Sequence, residues 1–116
     1  MALGVLDILL IAGIVATALY SSSKFESVSA KEGDVLVTST DFKFQPDELV
    51  TEAGTISVHI TNKDDTLHTF TIDDLNVEVA VPAKKETTVT FEADAGKFRF
   101  YCKPHAPDMD GTLTVN

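Results

Sequence analysis

Cys102, His105 and Met109 bring the chain's only cysteine, one of its three histidines and one of its two methionines into eight residues near the C-terminus. A thiolate, an imidazole and a thioether on one loop form a soft donor set that suits copper better than the oxygen-loving cations. A trigonal site of two histidines and one cysteine, with a long axial methionine, needs one further imidazole. His59 and His68 are the remaining choices. His59 lies mid-strand in Ile56-Ser57-Val58-His59-Ile60, where the apolar residues share one face and His59 points the other way, toward solvent on this reading. His68 follows the turn-rich Asn62-Lys63-Asp64-Asp65-Thr66 and opens an alternation with Phe70 and Ile72, where a loop enters a strand. That position makes His68 the better ligand.

Taken singly, each residue also has an ordinary explanation. A lone cysteine is commonly a small core hydrophobe, and a methionine fills gaps. A core strand does not, however, continue as the polar, turn-rich Pro104-His105-Ala106-Pro107. A nucleophilic Cys102 with His105 as its base would need an orienting third group and a substrate pocket, and the sequence signals neither. A single cysteine excludes an intramolecular disulfide, and it argues against a dinuclear copper centre bridged by two thiolates.

The elements that must position these ligands read as strands from Asp34 onward. Val35-Leu36-Val37-Thr38-Ser39-Thr40 is rich in strand formers, and Phe42 and Phe44 alternate before Pro46 stops the pairing. Further strands are expected near residues 49–51, 55–61, 68–72, 77–81, 86–92, 97–102 and 111–115, with turns at Asn62 to Thr66, Asp73-Asp74, Pro82 to Lys85 and Asp94-Ala95-Gly96. No stretch after Tyr20 sustains a helical apolar period. About eight short strands with regular turns predict an all-β, antiparallel Greek-key sandwich or barrel, which gathers distant loops at one end.

Three segments carry a resemblance to a known family. Phe42-Lys43-Phe44-Gln45-Pro46, Asn62-Lys63-Asp64-Asp65-Thr66-Leu67-His68-Thr69-Phe70, and Phe100-Tyr101-Cys102 with His105, Met109 and Gly111-Thr112-Leu113-Thr114-Val115 together resemble the cupredoxins, the small blue (type 1) copper proteins. The likeness covers roughly residues 34–116. It implies His68, Cys102, His105 and Met109 as the ligands of one copper ion cycling between Cu(I) and Cu(II), with Met109 axial. Three residues separate His105 from Met109, a spacing that varies in the family. It further implies that backbone N–H groups point at the Cys102 sulfur and that Asp64 or Asp65 supports the site.

Ahead of the domain, residues 3–20 form an apolar run broken only by Asp7, about 27 Å long as a helix and enough to cross a bilayer core. Residues 1–20 therefore read as a membrane anchor, with a cleaved signal peptide as the alternative, although no Lys or Arg precedes the run. Residues 21–33 are serine-rich and read as a linker, and 34–116 as the copper domain. The net charge of −9 is carried after residue 24, because Asp7 and Lys24 cancel. An acidic domain repels nucleic acid and favours partners that are basic where they dock. The combined expectation is a membrane-tethered carrier of single electrons between redox proteins on the extracytoplasmic side. It is not an enzyme and takes no small-molecule substrate. The alternative is an extracytoplasmic copper chaperone or scavenger that delivers copper to an oxidase.

Overall fold

Short runs of β-branched and aromatic residues, interrupted by Pro, Gly and Asp-rich turns, form nine strands in the computed structural model, which describes residues 27–116. In chain order these are β1 (Val35–Thr40), β2 (Lys43–Gln45), β3 (Glu48–Thr51), β4 (Gly54–Asn62), β5 (His68–Ile72), β6 (Val77–Val81), β7 (Glu86–Ala93), β8 (Gly96–Tyr101) and β9 (Asp110–Val115). Short 3-10 turns occupy Asp73–Leu75 and Lys103–His105. The strands make two sheets, ordered β2-β1-β4-β7 and β3-β9-β8-β5-β6.

The all-β sandwich is as expected, but its pairing is not wholly antiparallel. β1 runs parallel to β4, and β3 parallel to β9. The cause is a crossover. After β2 the chain passes to the other sheet as β3 and returns as β4, and that detour is long enough to lay β4 beside β1 in the same direction.

Inward residues of both sheets form one core that includes Val37, Ile56, Val58, Ile60, Ile72 and Leu113. Phe44 from the first sheet meets Phe70 and Phe100 from the second, with centroids 6.1 and 5.1 Å away, and the latter two rings lie 5.0 Å apart. Such aromatic pairs contribute about 1 kcal/mol each beyond their buried area. They fix the two sheets together through β2, the strand that follows Phe42. All five residues of β5 are buried, so His68 starts a strand covered on both faces.

The segment expected to cross a membrane, residues 3–20, lies outside the described residues, as does the first part of the expected linker. Among the described residues no helix is long and apolar enough to cross a membrane. The remainder of the linker touches the domain. The Val28 N–H donates to the Glu86 carbonyl at 3.3 Å, and the Glu86 N–H donates to the Ser27 hydroxyl at 2.7 Å.

Candidate metal centre

Four loops meet at one end of the sandwich, joining β1 to β2, β4 to β5, β6 to β7, and β8 to β9. The last carries most of the donors and closes on itself. The Cys102 N–H donates to the Met109 carbonyl at 3.0 Å, the His105 N–H to the Cys102 carbonyl at 3.1 Å, and the Met109 N–H to the His105 carbonyl at 3.3 Å. Pro104 suits the 3-10 turn because its fixed φ matches the first helical turn, where a missing N–H costs nothing.

This closure brings three donor atoms together. His68 Nδ1 and His105 Nδ1 are 3.3 Å apart, and Cys102 Sγ stands 3.6 Å from the first and 3.3 Å from the second. The point equidistant from all three lies about 2.0 Å from each, the ordinary length of a bond from metal to imidazole. Three groups packed this tightly suit a shared cation better than mutual hydrogen bonds. Cys102 and His68 are fully buried and His105 is half-buried. One thiolate and two imidazoles in a trigonal array fit a type 1 copper ion. Met109 is buried beside them at 1% exposure, with its backbone bonded to Cys102 and His105.

The surroundings fix the tautomer and orientation of each donor. Asp64 Oδ2 lies 2.8 Å from His68 Nε2, so that nitrogen donates and Nδ1 keeps its lone pair for metal. The same carboxylate accepts the N–H groups of Asp41 at 2.8 Å and Phe42 at 3.0 Å. Partial burial pushes the Asp64 carboxyl up, but the His68 hydrogen bond and the two backbone N–H groups outweigh it and hold the pKa below the usual aspartate value. Of the two aspartates implied by the family resemblance, Asp64 supports the site. Asp65 stands 90% exposed, 3.6 Å from Lys84. The Thr69 N–H points at Cys102 Sγ from 3.3 Å, and the Lys103 N–H donates to the Thr69 hydroxyl at 2.9 Å.

Two further contributors open segments that carry the family resemblance, but the sequence alone assigns them no role. Asn62 is buried, donates to the carbonyls of Thr66, Val81 and Pro82, and accepts from the Asp64 N–H, so one amide ties the β4–β5 loop to the β6–β7 loop. Phe42, which reads simply as part of an alternating strand, sits at φ 60° in the β1–β2 turn. Its ring packs edge-on against His105 at 4.7 Å and His68 at 5.3 Å. An Asn or Phe of this kind is defined by where distant loops meet, which local pattern does not encode.

His59 corrects an expectation. It is 3% exposed, not solvent-facing, because β4 is an inner strand flanked by β1 and β7. Nδ1 meets the Thr88 hydroxyl at 2.8 Å, and Nε2 meets Glu86 at 2.7 Å. It belongs to no metal cluster among the described residues. His59→Ala should therefore lower stability by about 1–3 kcal/mol, leaving Thr88 without its partner, while the copper spectrum stays as in the parent. Thermal melting and the visible spectrum of one sample check both halves.

The charge of this end differs from that of the whole chain. Residues 27–116 hold sixteen acidic and eight basic side chains, whereas the four loops hold four of each, so the net −8 of the described residues lies entirely elsewhere. The expectation of a basic docking partner rests on the whole-chain charge, which the fold does not place here.

The family model of the cupredoxin-like domain matches residues 9–115. No curated protein sequence matches the chain. Among solved structures, the reduced form of a tryptophan-to-tyrosine variant of amicyanin is similar, with a TM-score of 0.65 at 19% identity over 79% of this chain and 90% of that one. A Cu(I) form of a methionine-to-alanine variant of amicyanin gives the same values. The oxidized form of a methionine-to-leucine variant of amicyanin gives 0.65 at 18% identity over the same shares. At these identities the likeness is one of fold.

Proposed function

This chain belongs to the cupredoxin-like family, and from that premise we propose that it is a carrier of single electrons between redox proteins. The observation that carries the reading is the triangle of His68 Nδ1, His105 Nδ1 and Cys102 Sγ, sized for one metal ion and largely closed to solvent. Bound copper supplies the one-electron couple between Cu(I) and Cu(II). The protein supplies a frame that holds the donors in one arrangement for both states. Asp64 fixes the His68 ring, the Thr69 N–H stabilises negative charge on sulfur, and the loop's own hydrogen bonds hold His105 and Met109 in place. His105, the partly exposed donor, is the route to the surface. Burial of Cys102, His68 and Met109 favours holding copper through redox cycling over handing it on, so a chaperone role is the weaker reading. The visible spectrum of the copper(II) protein tests the assignment. An intense thiolate charge-transfer band with reversible one-electron cycling is expected, and a pale protein that loses copper on reduction would refute it.

Met109 would supply a weak fourth donor to the copper in this reading, supported by its burial and its place in the closed loop. Met109→Leu should keep the colour and raise the potential, because Cu(II) loses donor density that Cu(I) hardly uses. A tenfold change in the relative affinity for the two states is about 60 mV for one electron, and we expect at least that. Met109→Gln should shift the potential downward. Voltammetry showing no shift in either variant would remove Met109 from the ligand set.

The apolar run over residues 3–20 supports tethering to a membrane with the copper domain on the extracytoplasmic side. Partition of the full chain into membranes, resistant to high salt and reversed by detergent, tests that placement.

A further inference from the structure

The copper end is locally neutral on a strongly acidic domain, and three of its four exposed lysines lie together, the fourth, Lys103, being paired with Glu78. Lys63 and Lys84-Lys85 lie on adjoining loops that are bound together, with the Lys84 N–H donating to the Asp64 carbonyl at 3.1 Å and Lys84 Nζ to the Lys63 carbonyl at 2.8 Å. None of the ion pairs among the described residues involves Lys63 or Lys85. Of the acids on the same loops, Asp64 is turned inward to His68 and the backbone, Asp65 faces Lys84, and Asp41 and Asp108 are exposed. Beside the lysines lie Phe42 and Leu67, each 46% exposed, with Pro104, Ala106 and Pro107 also at the surface around His105.

We propose that this end docks a redox protein whose contact surface is apolar at its centre and acidic where it faces Lys63, Lys84 and Lys85. The inference rests on the electron-carrier reading and adds the charge of the partner. Distance decides between the two possible steering charges. At about 0.1 M ionic strength the field of an exposed charge decays over roughly 10 Å, so a partner at the loops feels the lysines there more than acids at the opposite end such as Glu32, Glu52 and Asp94, while the bordering Glu86 and Asp110 are held by His59 and Arg99. The net charge governs only at much lower salt.

Two variants with identical net charge separate these effects. Lys63→Glu with Lys85→Glu reverses the rim, and Lys31→Glu with Lys97→Glu makes the same change away from it. Oxidation of the reduced, copper-loaded full chain by ferricyanide, a trianion standing in for an acidic contact, would be followed by stopped flow at about 0.1 M ionic strength. The rim variant should react more slowly by about fivefold or more, and the distant variant should stay within about twofold of the parent. Equal slowing in both variants, no slowing in either, or a faster rim variant would each overturn the proposal. Broadening of amide resonances by hexacyanochromate(III), a paramagnetic trianion with no redox role here, reads the same surface without electron exchange. Lys63, Lys84 and Lys85 should broaden first, and uniform broadening overturns the proposal by itself. A chain that exchanges no electrons but shows the localised broadening would instead sink the carrier reading and leave the acidic-contact surface standing.

Discussion

Replacing Cys102 by serine should erase the intense visible band and lower Cu(II) affinity by more than about a hundredfold, since even the outer hydrogen-bond partners of metal ligands are worth 10–100-fold. Cys102 Sγ is the only soft anionic donor in the chain and one corner of a triangle with sides of 3.3 to 3.6 Å. A serine hydroxyl at that corner is neutral at pH 7, hard and shorter. It cannot supply the short metal–thiolate bond that produces the colour. The fold should survive. Serine is nearly the same size, and the Thr69 N–H that faces the sulfur can face the hydroxyl instead. Burying that hydroxyl costs about 1–3 kcal/mol, less than the stability of a typical domain. Circular dichroism with copper titration separates the outcomes. A folded variant that keeps the band would show that the metal lies elsewhere.

Gly111→Ala should lower stability by about 3 kcal/mol, a large effect for one methyl group. Gly111 pairs with Phe100 across β8 and β9. A Cβ at this position would run into the Phe100 ring and the Asp47 carbonyl oxygen. Neither obstacle yields easily. Phe100 is fully buried between Phe44 and Phe70, and the Asp47 carbonyl accepts the Thr112 N–H at 2.8 Å where β3 joins β9. For a domain of this size 3 kcal/mol corresponds to a fall of roughly 15 °C in Tm. Gly96→Ala is the internal control, because its Cβ would meet only the Phe98 ring, at 3.2 Å, and should cost far less. Similar melting of the two variants would mean that β9 moves aside more readily than its packing suggests.

The strands and the three clustered donors were legible in the sequence for a physical reason. β-branched alternation between Pro and Gly turns specifies strands locally, and thiolate and imidazole groups are scarce enough that their spacing carries information. The arrangement of those strands was less legible. Whether β4 pairs parallel to β1 depends on a crossover through the other sheet, and the burial of His59 depends on β4 having a neighbour on each side. The choice of Asp64 over Asp65, and the placing of Phe42 against both histidines, follow from loops that are distant in sequence and meet only in the fold. The charge at the docking end was not legible for the same reason. A sum over the chain carries no position, and the four loops hold none of the net charge.

The β8–β9 loop closes where the Cys102 N–H meets the Met109 carbonyl, so its two ends are held together independently of the residues between them. Changing the number of those residues costs little in closure entropy, on the order of 0.6 kcal/mol per doubling of length. The segment is in effect a cassette. Insertions or deletions between His105 and Met109 would break the Met109 N–H bond to the His105 carbonyl and change where Met109 sits, while β8 and β9 keep their register. The length of this loop is thus separable from the packing of the sandwich that carries it.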